Sequence, residues 1–234
     1  MNAEDLTDVE NVILQLTGDH PRLLFVLSGP SGAGKNSIIK NLLDNHVNEM
    51  DRVTTYTTRE KRDGEVDGDQ YYFVSLERFR ELARAGKLME AEGHDVYQSG
   101  HQYSMPSDLF EGVDDDKPLV VAEVDIHGMR RIRDRFPLVI TIFVTAPPGS
   151  LMKRIRERDA DLPDDEFANR IRTAHDQIQA AKEFDYVVYN KEGQFERTIA
   201  AIEAIIWAER LKVRPGFDLE AIFPASAFAI PETE

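Results

Sequence analysis

The hydrophobic positions of the chain change period several times, and each change marks an element. A near-continuous apolar run, Leu23-Leu24-Phe25-Val26-Leu27, lacks the alternation of a half-exposed strand and predicts a strand buried on both faces. A Gly/Ser loop follows, after which Ile38, Ile39, Leu42 and Leu43 recur at helical spacing. Two more apolar runs, Pro118–Val124 and Leu138–Val144, predict buried strands, each leading into a basic segment of helical period. A fourth strand over Asp185–Tyr189 precedes a long helical pattern from Phe195 to Leu211. Strands alternating with helices in this way predict an α/β fold, a doubly wound parallel sheet that takes its ligands at the carboxyl ends of the strands.

Three stretches break that rhythm. Residues 51–116 carry Thr and Tyr clusters, turns at Gly64 and Gly68 and short strand-like pieces, which predict a small mixed α/β insertion in a core of residues 21–50 and 117–212. The segment about 149–172 places arginine-bearing helical halves on either side of the polar stretch Asp159–Glu166, broken by Pro163, and predicts a helical lid. Outside the 21–212 domain, residues 1–20 form an extension with one short amphipathic helix through Leu6, Val9, Val12, Ile13 and Leu16. Residues 213–234 form a tail too rich in Pro and Gly for a long helix.

Composition narrows the chemistry. A chain of 234 residues suits one α/β domain with appendages. It has no cysteine, which excludes disulfides, thiolate metal sites and cysteine nucleophiles, and its six histidines lack the close pairing of a metal site. The formal net charge of −15 disfavours long nucleic acid as a partner. A small phosphorylated substrate stays open, because a few arginines focused in one cleft reverse the local potential. No apolar run is long enough to span a bilayer, and the first ten residues are acidic where a signal peptide is basic, so the expectation is a cytoplasmic protein without a membrane partner.

The most specific motif is Gly29-Pro30-Ser31-Gly32-Ala33-Gly34-Lys35-Asn36, followed by Ser37. It matches GxxxxGK[ST] except at the last position, where Asn replaces Ser or Thr. Glycines let successive backbone N–H groups turn onto phosphate oxygens, the next helix adds its positive end, and Lys35 bridges the terminal phosphates of a bound ATP. An ordinary Gly/Ser turn is the competing reading, but strand and helix flank the motif as the mechanism requires. Asn36 stands where a hydroxyl normally holds Mg²⁺. Its amide oxygen is still a hard ligand but lies farther out, and Ser37 points about 100° away around the helix. The expectation is impaired or water-mediated Mg²⁺ binding and slower turnover.

The segment Thr54-Thr55-Tyr56-Thr57-Thr58-Arg59-Glu60-Lys61-Arg62-Asp63-Gly64-Glu65-Val66-Asp67-Gly68, with Tyr71-Tyr72-Phe73-Val74 after it, resembles guanylate kinase, and the resemblance runs from about Leu23 to Leu211. Arg59 and Arg62 are spaced so that both guanidiniums grip one monophosphate, and Tyr71 and Tyr103 add hydroxyl donors. Ordinary surface charge is the competing reading of that arginine pair. The resemblance implies a base contact for Thr55 and a guanine-reading carboxylate at Glu90, since one carboxylate accepts from both N1–H and the N2 amine. Within Gly100-His101-Gln102-Tyr103-Ser104-Met105-Pro106, Ser104 replaces the family's glycine and Met105 a hydroxyl residue that touches the base, which loosens guanine specificity.

The resemblance further implies that Glu123 organises Mg²⁺ and its waters and that Asp125 contacts the acceptor base, although two acids finishing a strand explain the pair as well. Arg154, Arg158 and Arg170 match lid arginines that bring charge to the transferring phosphoryl group, and the family's Arg-Gly reads Arg158-Asp159 here. Arg156 reads as solvated, and a salt-bridged helix is the rival explanation for these arginines. Asn190 matches a position near the ATP adenine. The implied reaction is ATP plus GMP, and dGMP as well, with ATP and Mg²⁺ as cofactors. The alternatives are a kinase of another phosphorylated acceptor and a catalytically silent, protein-binding module.

Overall fold

The computed structural model describes residues 22–89, 100–160 and 162–212. The predicted helix over Leu6–Leu16, the tail 213–234 and Glu90 lie outside the described residues. Strand β1 (Leu23–Ser28) is buried at all six positions and sits at the centre of a five-stranded sheet. It pairs in parallel with β6 (Leu119–Glu123) on one side and β7 (Ile140–Thr145) on the other. The outer strands β2 (Met50–Arg52) and β8 (Tyr186–Tyr189) complete the order β2-β6-β1-β7-β8, parallel throughout. The three inner strands β1, β6 and β7 are buried at nearly every position, covered on both faces as a parallel sheet requires, which is why they read as continuous apolar runs.

Helices make the crossovers. Helix α1 (Lys35–Asn45) follows β1, α3 (Ile126–Arg135) follows β6, and α4 (Pro148–Arg158) with α5 (Asp164–Gln179) joins β7 to β8. Leu24, Val26, Val120, Ala122, Met129, Ile132, Phe143 and Phe184 pack into one core. Each large apolar side chain buried there contributes about 1.5–3 kcal/mol. Helix α6 (Phe195–Leu211) ends the described chain. Residues Arg22–Glu203 form one compact unit; in the other, Arg210 stacks 5.2 Å over Trp207.

A second sheet branches from the first. Its middle strand β3 (Thr55–Thr57) runs parallel to β4 (Tyr71–Phe73) and antiparallel to β5 (Tyr103–Ser104). Helix α2 (Leu76–Arg84) begins at Ser75, whose hydroxyl accepts from the Arg78 amide at 3.1 Å. The five-stranded parallel sheet, the small mixed sheet and the helix pair α4/α5 give the α/β architecture expected from the hydrophobic pattern.

The pairing of β7 with β8 is fixed at its start. Asp185 Oδ2 accepts from the Thr141 amide at 2.8 Å and from its hydroxyl at 2.6 Å, and the Asp185 amide donates back to that hydroxyl at 3.0 Å. From there Ile142 lies opposite Tyr186 and Thr145 opposite Tyr189. No helix among the described residues is long and apolar enough to cross a membrane.

Candidate active site

Strand β1 delivers the chain to the glycine loop at the carboxyl edge of the sheet. Gly29 has φ 141°, and a Cβ there would lie 1.9 Å from the Val144 carbonyl oxygen, so only glycine lets the loop rest against β7. Gly34 has φ 90° and precedes α1, where a Cβ would lie 2.5 Å from Asn190 Nδ2. Asn190 is buried, and its side chain is engaged at both ends: Nδ2 donates to the Ala33 carbonyl at 2.8 Å, and Oδ1 accepts from Thr198 at 3.3 Å. Its own amide donates to the Thr145 carbonyl at 2.7 Å. The structure thus puts Asn190 behind the loop, where it holds Ala33, and not on the cleft wall.

Helix α1 starts with no side-chain cap and no acid in its first turn, so its positive end meets the cleft uncompensated. Lys35 Nζ donates to the carbonyls of Gly29 at 2.7 Å and Pro30 at 3.3 Å and lies 3.6 Å from Glu123 Oε1. Burial pushes the Lys35 ammonium below its ordinary pKa; Glu123 offsets part of this, while Arg158 adds to it. An ammonium so placed gains from any anion that joins it.

Glu123, at the end of β6, is the meeting point of three donors. Besides Lys35, Arg52 Nη2 stands 3.5 Å from Oε2, and the Asn36 amide lies against the carboxylate. The hydrogen-bonding surroundings assign the amide nitrogen of Asn36 to that side, donating to Oε2 and, at 3.3 Å, to Oε1. Arg52 is buried, with 7% of its side chain exposed, and its Nε has no hydrogen-bond partner among the described residues. Asp125 caps α3, with Oδ1 accepting from the Gly128 amide at 2.7 Å.

The small sheet forms the facing wall. Thr55 is buried on β3 opposite Tyr71. Arg59 pairs bidentately with Glu65 at 2.9 and 2.8 Å, its guanidinium 5.5 Å from the Tyr71 ring centroid and 5.4 Å from that of Phe73. Glu65 also accepts from the Arg62 amide at 2.8 Å. The Arg62 charge is disfavoured by burial and by the nearby Arg158 and Arg59. Tyr71 meets Tyr103 edge-on at 6.1 Å; burial, then the charges of Glu123 and Tyr103, push its phenol well up, so it stays a hydroxyl donor. Met105 is 2% exposed and joins the main core while touching the cleft floor.

Arginines of α4 and α5 close the third side. Arg154 donates to the Gly32 carbonyl at 3.1 Å, and Arg158 Nη2 to the Ser31 hydroxyl at 3.0 Å. Asp159 accepts from Arg158 at 2.9 Å and from Arg170, and lies 3.8 Å from Arg62 Nη2. Arg170 also pairs with Glu166 at 2.8 Å. Arg156 is not simply solvated: it stacks 3.9 Å over Phe167 and donates to the Leu162 carbonyl at 2.8 Å and to Asp164, fastening α4 to α5.

These walls enclose one cleft of about 920 Å³. It brings together Lys35, Asn36 and Ser37, the Thr55–Tyr103 side with Arg59 and Arg62, the acids Glu123 and Asp125, and the arginines 154, 158 and 170. Pro30, Ala33 and Asn190 are not on its wall. Sequence reasoning gave no role to Arg52, Glu65 or Asp159. Glu65, three residues after Arg62 in a turn, carried a readable signal; the inward aim of Arg52 at the polar end of a short strand did not. Opposed cationic grips in one partly enclosed space suit binding of two phosphorylated molecules and transfer between them.

Comparison with known proteins agrees with this geometry. The family profile for guanylate kinase matches residues 21–209. Guanylate kinase from Trichormus variabilis is 37% identical over 185 residues, covering 79% of this chain and 89% of the relative. The enzyme of that name from Caldanaerobacter subterraneus is 34% identical over 199 residues, covering 84% and 92%. Among solved structures, guanylate kinase from Anaplasma phagocytophilum superposes with a TM-score of 0.65 at 26% identity, covering 89% of this chain and 98% of that one.

Proposed function

The chain belongs to the guanylate kinase family, a family of nucleoside monophosphate kinases, and on that premise we propose that it transfers the terminal phosphoryl group of ATP to GMP, and to dGMP, giving ADP and the diphosphate. One observation supports the reading: a single cleft is lined both by Lys35 with the glycine loop and by Arg59 with Arg62, two sets of cationic groups suited to two phosphorylated ligands. ATP phosphates lie on the amides of residues 29–37 and on Lys35, relieving the lysine's buried charge. The acceptor phosphate takes Arg59 over from Glu65 and recruits Arg62, with Tyr71 and Tyr103 as hydroxyl donors. Arg154, Arg158 and Arg170 bring charge to the oxygens of the group in flight, and in-line transfer then needs positioning and neutralisation rather than a strong base.

Thr55 and Asp125 border the space for the acceptor base, and Met105 gives it an apolar floor. The Glu123 carboxylate would hold a largely hydrated Mg²⁺ through its waters, and Asn36 would join it only by turning its amide oxygen, in place of the nitrogen, toward that carboxylate. Mg²⁺ bound there supplies charge neutralisation on the nucleotide phosphates.

Release of ADP with GMP, dGMP, AMP, CMP and UMP as acceptors tests the assignment. Turnover fastest with GMP and dGMP is expected; inert guanine nucleotides beside a reactive alternative would overturn it. The turn of Asn36 toward Glu123 favours a second reading, a silent protein-binding module of the same fold. Saturable calorimetric heat with ATP and Mg²⁺ is the expected result, and its absence points to that module.

A further inference from the structure

Asp159 has no part in the reaction as drawn, yet it is a carboxylate set among the arginines that reaction uses. It ends α4, where the helix's negative end disfavours an anion by about 0.3–1 kcal/mol. What holds it there is cationic: Arg158 Nη2 donates at 2.9 Å and Nε at 3.2 Å, Arg170 Nη1 donates as well, and Arg62 Nη2 lies 3.8 Å from the other oxygen. Burial raises the carboxyl's pKa, but the hydrogen bond and charge of Arg158, with Arg62 and Arg170, outweigh it and keep Asp159 below the ordinary carboxylate range. Two of these arginines come from the α4/α5 pair and one from the acceptor-side loop, and Arg158 simultaneously touches Ser31 in the glycine loop. Three guanidiniums converging on two oxygens beside that loop is the arrangement a phosphoryl group would demand.

We propose that Asp159 is a positioning residue that stands in for a phosphoryl group in the empty enzyme: it gathers Arg158, Arg170 and Arg62 at the meeting point of donor and acceptor, and an incoming phosphate must take them from it. The inference rests on the reading that these arginines grip phosphate. Its consequence is a built-in discount on anion affinity, with the arginines already assembled when the substrate arrives.

Calorimetric titration with inorganic tripolyphosphate, which carries phosphates and no base, tests this on the full chain. The wild type is compared with Asp159→Asn, which keeps the shape, and Asp159→Gly, which removes the side chain. Both variants are expected to bind about tenfold tighter than wild type, and KM for ATP should fall with Kd. A merely structural role predicts the opposite, weaker binding. Binding no tighter in either variant overturns the proposal while leaving the phosphate reading intact, provided the wild type binds and Lys35→Ala does not. Failure of wild type and variants alike to bind tripolyphosphate removes the phosphate reading, and this inference with it.

Discussion

The two sides of the cleft are held in shape by different forces. On the donor side, backbone conformation and buried neutral contacts fix the loop: Gly29 against β7, Gly34 against Asn190, and Asn190 on Ala33. On the acceptor side, the gripping residues are held by carboxylates, Arg59 by Glu65 and Arg62 near Asp159. The first kind of support does not change when a ligand enters. The second must change, because a phosphate and a carboxylate compete for one guanidinium. Damage to the donor side should therefore appear in stability and in kcat, and damage to the acceptor side in KM for one substrate.

The strongest test of that contrast is Lys35→Ala, expected to lower kcat about 10³-fold if, as proposed, its charge serves the transferring group; steady-state ADP release reads it. Gly29→Ala comes next. With its Cβ 1.9 Å from a β7 carbonyl, it should cost roughly 3 kcal/mol of stability in urea unfolding. On the opposite wall, Arg59→Ala should raise KM for the acceptor about 100-fold and leave KM for ATP nearly unchanged. Equal changes in both constants would erase the distinction between the sides.

Asn36→Ser is a smaller and opposite effect, a gain of about fivefold in turnover with tighter Mg²⁺ binding, because a short hydroxyl replaces an amide turned to Glu123. Unchanged rate and metal affinity would show that the amide is no handicap. The mildest prediction lies at the far end of α1, away from the cleft. His46 Nε2 lies 2.7 Å from Glu203 and Nδ1 3.5 Å from Glu49, and chiefly the Glu203 bond raises its pKa above the ordinary 6.5. A raised histidine contributes its full stabilisation below the unfolded pKa and loses it as pH rises through the folded one. His46→Gln should thus cost about 1 kcal/mol at pH 5.5 and little at pH 9, read from melting curves.

Much of the scaffold was legible because its signals are local. The apolar run at Leu23–Leu27 became β1, Pro118–Val124 became Leu119–Glu123, and the helix over Phe195–Leu211 appears with those bounds. The short strands Met50–Arg52 and Tyr103–Ser104 were not legible as individual elements, since pairing partners distant in sequence define them. In the cleft, the glycine loop is marked by its spacing, and the arginine pair by the motif around it. Arg52 and Asp159 are not: the inward aim of one depends on a strand end beside β6, and the three partners of the other come together only through the turn between α4 and α5. Asn190 was singled out by resemblance, but its amide answers to Ala33 and Thr198, contacts that no periodicity encodes.

The bond between Asp185 and Thr141 reaches further than its place on an outer strand suggests. Side chains along a strand alternate, so a slip of one residue at that anchor would turn Tyr189 or Lys191 toward Ala33 in place of the asparagine. The glycine-loop end of the sheet is thereby indexed from its opposite rim, five residues upstream of Asn190, by an aspartate that does not line the cleft.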